Sequence, residues 1–191
     1  MSGLKIVGIS GSVRRPSRTT ALVQNILDGL GDLGAVRLLE LVDEAPHLFS
    51  ALTAEALSDR AANVVQLVEN ADLLVVGSPV YRASYTGALK HLFDLVDYRA
   101  LRGTPVVLAA TGGTSLHGLM TEHQLRPLFG FFGARTIPTA VYALDVDFDD
   151  YELTSQTVRE RIDRAVIEAR QQLTLPALTS RPVPIRLSVS A

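Results

Sequence analysis

Between the first apolar run and the first helical pattern the chain reads Ser10-Gly11-Ser12-Val13-Arg14-Arg15-Pro16-Ser17-Arg18-Thr19-Thr20. Its five hydroxyls and three arginines stand at the start of a predicted helix. A helix N-terminus presents unpaired amides and a partial positive charge, and so binds anions. Capping by Ser17 or a neighbour accounts for one hydroxyl. It does not account for Ser10, Ser12, Ser17, Thr19 and Thr20 together, nor for arginines at the end where cations are disfavoured. A bound dianionic phosphate satisfies all of them. The stretch lacks Gly-x-x-x-x-Gly-Lys-Ser/Thr and Gly-x-Gly-x-x-Gly, so neither a triphosphate loop nor a dinucleotide fingerprint is present. Gly8-Ile9-Ser10-Gly11-Ser12 also fails as a nucleophile elbow, because Ser12 stands where the second glycine belongs. A monophosphate is what fits.

Two further segments carry chemistry. Ser78-Pro79-Val80-Tyr81-Arg82-Ala83-Ser84-Tyr85-Thr86-Gly87 is a stiff turn with two tyrosines, and Thr111-Gly112-Gly113-Thr114-Ser115 follows another apolar run. Paired glycines let backbone amides approach a flat heterocycle closely, and an aromatic or apolar wall covers its face. Each segment alone is an ordinary turn. Together they describe a site for a phosphorylated planar ring.

The elements that must position these segments are legible as apolar runs at residues 5–9, 36–42, 73–77, 105–110 and 137–144. Most are rich in Val, Ile or Leu without strict alternation, which suits parallel strands buried on both faces. The second run alternates more and suits an edge strand. Helical stripes lie between them: Leu22, Ile26 and Leu30; Leu57, Ala61, Val64, Val65 and Val68; Leu89, Leu92, Phe93 and Val96; then residues 116–132 and 154–173. Regular β-α alternation predicts a doubly wound α/β three-layer sandwich with five parallel strands in the flavodoxin-like order 2-1-3-4-5. In such sheets ligands bind beyond the carboxyl ends of the strands, which is where the three segments fall. Residues 1–173 read as one domain. Residues 174–191 hold three of the nine prolines and no acidic residue, so an extended C-terminal tail along a surface or partner subunit is expected, with a frayed tail as the alternative.

Composition removes other chemistries. The 191 residues contain no cysteine, which excludes disulfides, thiolate metal sites, iron–sulfur clusters and thiol nucleophiles. Hydrophobic residues make up 47% and charged residues 20% of the chain, a folded rather than a disordered composition. A net charge of −2 argues against a nucleic-acid partner and against a strongly acidic electron carrier. No run reaches the roughly 18 apolar residues of a membrane span and no secretory signal pattern opens the chain, so a cytoplasmic protein is expected.

The motifs Gly11-Ser12-x-Arg14-x-x-Ser17, Pro79-x-Tyr81 with Ser84-Tyr85-Thr86-Gly87-Ala88-Leu89-Lys90, and Thr111-Gly112-Gly113 occur in that order. In them, over residues 5–173, the chain resembles the flavodoxin-like NAD(P)H-dependent FMN reductases, and within these the reductases that serve two-component alkanesulfonate or methanesulfonate monooxygenases. The resemblance implies that Ser10, Ser12, Arg14, Ser17 and Thr19 hold the FMN phosphate. It implies that Pro79, Val80 and Tyr81 line the isoalloxazine and that Thr111, Gly112 and Gly113 bond its polar edge. Arg15 and Arg18 match the family pattern less firmly. Lys90 and Asp94 stand at i,i+4, where they form an exposed ion pair or bridge subunits. The family's sulfonate-linked reductases carry a π-bulge with Tyr or His in the helix after Thr-Gly-Gly, and His123 falls there. It reads as a flavin-stacking residue across a subunit contact or as a surface histidine. A metal site from His117, Glu122 and His123 is disfavoured by helical geometry.

The implied reaction is hydride transfer from NADPH or NADH to N5 of FMN, with the flavin supplying the chemistry and no protein dyad required. The implied assembly is a homodimer or homotetramer with a monooxygenase partner. The residues do not choose between NADPH and NADH, although Arg82 is a candidate for a 2′-phosphate. Rival readings on the same fold are a flavin-retaining quinone, azo-dye or metal-oxyanion reductase, a non-enzymatic electron carrier, and a non-redox sugar- or nucleotide-phosphate binder.

Overall fold

The computed structural model describes residues 3–174. Its central sheet runs β2-β1-β3-β4, with the fifth position shared by two short strands, all parallel. The strands are β1 (Leu4–Ser10), β2 (Gly34–Glu40), β3 (Leu73–Pro79), β4 (Pro105–Gly112), β5 (Arg135–Thr136) and β6 (Val141–Leu144). The expected order and the edge position of the second strand are both found. Of the expected fifth strand at 137–144 only β6 is strand, paired to residues from Ala109 to Gly112, while β5, paired to Pro105 and Val106, lies just before the expected range. Pro138 explains the break, because it has no amide to give the ladder.

Two apolar layers flank the sheet. On one face α1 (Arg18–Asp28) and α6 (Gln156–Thr174) bring Leu22, Ile26, Ile162 and Ala165 against Ile6, Leu73, Val75 and Val107. On the other, α2 (Leu41–Leu48), α3 (Asp59–Glu69), α4 (Gly87–Leu95) and α5 (Arg126–Phe131) bring Leu41, Val65, Leu92, Phe93 and Phe129 against Val7, Leu74, Val76 and Leu108. None of the described helices is long and apolar enough to cross a membrane.

Two stretches depart from the expected pattern. The second apolar run ends as a strand at Glu40, and Leu41 opens α2, whose buried Leu41, Ala45 and Leu48 follow a helical spacing. The expected helix over 116–132 is a 3₁₀ turn at Ser115–His117, a π-helical turn at Thr121–Leu125 and then α5. Pro127 has no amide for the carbonyl of His123, while the Arg126 amide reaches back five residues to the Thr121 carbonyl, as a π turn requires. A small antiparallel hairpin of β7 (Phe148–Asp149) and β8 (Glu152–Leu153) precedes α6. The expected extended tail lies outside the described residues, save for Thr174, which closes α6.

Close approach of α1 to the sheet sets the position of the loop before it. A Cβ at Gly77 would stand 2.4 Å from Val23 Cγ2, and one at Gly8 would stand 2.5 Å from Leu27 Cδ1. Only glycine lets the helix sit so near the carboxyl ends of β1 and β3.

Candidate functional site

Parallel register brings the carboxyl ends of β1, β3 and β4 to one edge, with Ser10 opposite Gly77 and Pro79 opposite Thr111. The loops leaving those ends are laced together. The Gly11 amide donates to the Gly77 carbonyl at 2.7 Å, and the Thr86 hydroxyl donates to the Gly11 carbonyl at 2.7 Å. Thr86 also caps α4 by accepting from the Leu89 amide, while its own amide donates to Ser78 Oγ. The Val80 amide donates to the Thr111 carbonyl at 2.8 Å. Beyond it, Tyr81 and Ser84 exchange backbone hydrogen bonds around Arg82 and Ala83, whose φ angles are 52° and 64°.

These loops enclose a cleft of about 330 Å³ lined by Ser12, Arg14, Ser17, Arg18, Thr19, Pro79, Val80, Tyr81, Thr111, Gly112 and Gly113, with Pro16, Asp145 and Tyr151. Ten of the eleven residues singled out for cofactor binding in the sequence line it. Ser10 does not. Its side chain is fully buried behind the cleft, 2.8 Å from the Thr20 hydroxyl, which in turn donates to Glu40. Ser17 is the N-cap of α1, accepting from the Thr20 amide, and Ser12 Oγ accepts from the Arg14 amide. Thr19 and Thr111 share a buried hydrogen bond.

The three loop arginines separate sharply. Arg15 turns away and binds Glu40 and Asp43 with contacts of 2.6 Å to each, which raises its pKa above the ordinary guanidinium value. Arg14 lines the cleft and makes no ion pair among the described residues. Arg18 lines it too, with Nη1 3.4 Å from Asp145 and its guanidinium 5.3 Å from the centre of the Tyr151 ring. The Arg18 Nε is buried without a partner. Arg14 and Arg18 with Ser12, Ser17 and Thr19, at the N-terminus of α1, therefore line one space, a set of residue types that fits a phosphate.

Asp145 and Tyr151 are the cleft residues that lie outside the three loop segments read from the sequence. Asp145 follows β6, whose Leu144 pairs with Gly112, and Tyr151 sits at the turn of the β7–β8 hairpin. The rule that led to the loops after the first, third and fourth strands applies equally to the fifth and leads to Asp145. Tyr142 braces the paired glycines by donating to the Thr114 carbonyl at 2.7 Å, and burial together with nearby Asp145 raises its pKa.

The π turn occurs where the resemblance implied, and His123 lies exposed on it, outside the cleft lining. Gln124 of the same turn accepts from the Ser84 hydroxyl at 3.4 Å, linking the turn to the Tyr81–Ser84 hairpin. Lys90 and Asp94 form an exposed ion pair within α4. A larger concavity of about 620 Å³ lies near α3, α4 and α5, but Glu55, Glu69, Asp94 and Asp97 on its lining repel an anion.

A doubly wound sheet of this order, with a cleft lined by hydroxyl residues, arginines and paired glycines at its carboxyl edge, defines a flavodoxin-like protein. The chain belongs to the NADPH-dependent FMN reductase family, which residues 4–149 match. It is 48% identical over 170 residues to FMN reductase (NADPH) of Pseudomonas aeruginosa, covering 88% of this chain and 91% of that protein. It is 49% identical over 168 residues to NADH-dependent FMN reductase SfnF of Pseudomonas fluorescens, covering 87% of this chain and 90% of the relative. Among solved structures, the apo form of the NADH:FMN oxidoreductase EmoB matches with a TM-score of 0.79 at 28% identity, covering 90% of each chain. The protein is an NAD(P)H-dependent FMN reductase.

Proposed function

We propose that this reductase holds FMN by its phosphate in the cleft at the carboxyl edge and supplies the reduced flavin to a partner monooxygenase of sulfonate metabolism. One observation carries the reading: loops remote in sequence line a single cleft that joins phosphate donors, the Pro79–Tyr81 wall and the Gly112–Gly113 turn. In this reading Ser12, Arg14, Ser17 and Thr19 bind the phosphate, and Ser10 supports them from behind through Thr20. Pro79, Val80 and Tyr81 cover the ring, and Thr111, Gly112 and Gly113 meet its polar edge.

FMN held in this cleft would supply the hydride-accepting redox chemistry. The chain's contribution is orientation and charge. The Thr111 carbonyl fixes Val80 by hydrogen bonding, and Tyr142 fixes the Thr114 carbonyl, so both walls are set before ligand arrives. No proton-transferring side chain is needed for this role.

The partner assignment is supported by the sequence resemblance to reductases of sulfonate monooxygenase systems, and the cytoplasm, where nicotinamide cofactors are kept reduced, is the corresponding location. Assembly as a homodimer or homotetramer is supported by Leu116 and Leu119, which are 86% and 62% exposed just before the π turn bearing His123. His123→Ala is expected to change flavin affinity or kinetic order, read by titration and initial rates. Unchanged behaviour in both returns His123 to a surface role.

Steady-state kinetics test the supply role. Ternary-complex patterns in NAD(P)H and FMN, with flavin that separates from the protein on gel filtration, are expected. Ping-pong patterns with retained flavin would instead make the protein a reductase that passes electrons to a third substrate.

A further inference from the structure

We propose that Asp145 sets how tightly FMN is held, by competing with the flavin phosphate for the guanidinium of Arg18. The inference rests on the phosphate-binding reading of the cleft. A carboxylate is an unexpected lining for a space that receives a dianion, since like charges repel and the effect is largest where water is excluded. Asp145 is nevertheless held at the cleft by the fold. Leu144 is registered against Gly112, and the turn at Asp145–Asp147 is closed by a 2.7 Å hydrogen bond from the Leu144 amide to Asp147 Oδ2. A Cβ on Gly113 would stand 3.6 Å from Asp145 Oδ2, so the carboxylate lies against the paired-glycine turn itself.

Arg18 is the residue over which the two anions compete. As the first residue of α1 it carries a cation at the positive end of the helix, where a cation needs anionic company. Asp145 provides that company at 3.4 Å, with the two side chains 34% and 56% exposed. Tyr151 adds a ring face at 5.3 Å, and Nε is left buried without an acceptor. The contrast with Arg15 is instructive, because its guanidinium is fixed by two carboxylates at 2.6 Å and does not line the cleft. The longer, partly exposed contact of Arg18 leaves donors for a phosphate, which are shared with Asp145 rather than given up to it. A protein that must release its flavin after reduction gains from such a competitor, because affinity falls without loss of the donors that orient the ligand.

The test is titration of FMN and of riboflavin, which lacks the phosphate, against the full chain, read by flavin fluorescence. Asp145→Asn is expected to tighten FMN about three- to fivefold, the scale of a partly exposed ion pair, while leaving riboflavin unchanged. In an Arg18→Gln background the same substitution is expected to have no effect on FMN. Asp145→Ser, which also removes the charge, repeats the measurement should the asparagine variant fail to fold. FMN affinity that is unchanged or weaker, or riboflavin tightened to the same degree, would overturn the proposal. So would an Asp145→Asn effect that persists without Arg18. Wild-type protein that binds riboflavin as well as FMN would instead overturn the phosphate-cleft reading itself.

Discussion

The hydroxyls of Thr19 and Thr111 stand 2.6 Å apart in a buried position, joining the first turn of α1 to the end of β4 across 92 residues of chain. Both residues also line the cleft. One bond therefore ties the proposed phosphate end to the turn that meets the ring. Thr19→Val leaves the Thr111 hydroxyl buried without its partner and is expected to cost about 1–3 kcal/mol of stability. The double variant Thr19→Val with Thr111→Val is expected to lose less than the sum of the single changes, because no unsatisfied group remains. Urea unfolding of the four proteins checks this.

Arg14 and Arg15 are neighbours in sequence with opposite expected consequences. Arg14 lines the cleft without an ion pair among the described residues, and Arg15 is engaged with Glu40 and Asp43 outside it. Arg14→Gln is expected to weaken FMN about tenfold or more, the scale of a lost charge-assisted hydrogen bond, with little change in stability. Arg15→Gln is expected to leave FMN affinity unchanged. Fluorescence titration distinguishes them, and equal losses in both variants would remove Arg14 from the phosphate site.

The π turn carries a pH-dependent tie. Glu122 accepts two hydrogen bonds from the Arg126 guanidinium, which also reaches Thr136 Oγ1 and the Ile137 and Pro138 carbonyls. Those bonds hold the Glu122 carboxyl below its ordinary value of 4.5. A lowered folded pKa means that the stabilisation is complete above the ordinary value and is lost as pH falls through the folded one. Glu122→Gln is therefore expected to lower the melting temperature at neutral pH and to converge on the wild type only below the ordinary carboxyl value, as acid protonates Glu122. A difference that stays constant across that range would assign the effect to shape rather than charge.

Much of the site was legible because its residues belong to loops that follow strands, and buried parallel strands announce themselves as apolar runs. Ser12, Ser17, Thr19, Tyr81 and Gly112 could be found that way. Which arginine faces the cleft could not, since the choice is made by Glu40 and Asp43, and it is strand register that sets Glu40 opposite Ser10. Asp145 and Tyr151 were hidden for a related reason: β6 is only four residues long and the β7–β8 hairpin four paired residues in all. α2 was obscured because Leu41 and Val42 continue the apolar run of β2, and Pro46 interrupts the helical signal.

The turn at Arg82 and Ala83 holds two successive non-glycine residues in the left-handed region, each at a cost of about 1–2 kcal/mol. The paired bonds between Tyr81 and Ser84, with the link from Ser84 to Gln124, hold it there. That cost is met while the polypeptide folds, so the aromatic side of the cleft arrives already rigid. On the proposed placement of FMN, capture of a planar guest then freezes few torsions, and tightness can be adjusted at the anionic tail without loosening the grip on the heterocycle.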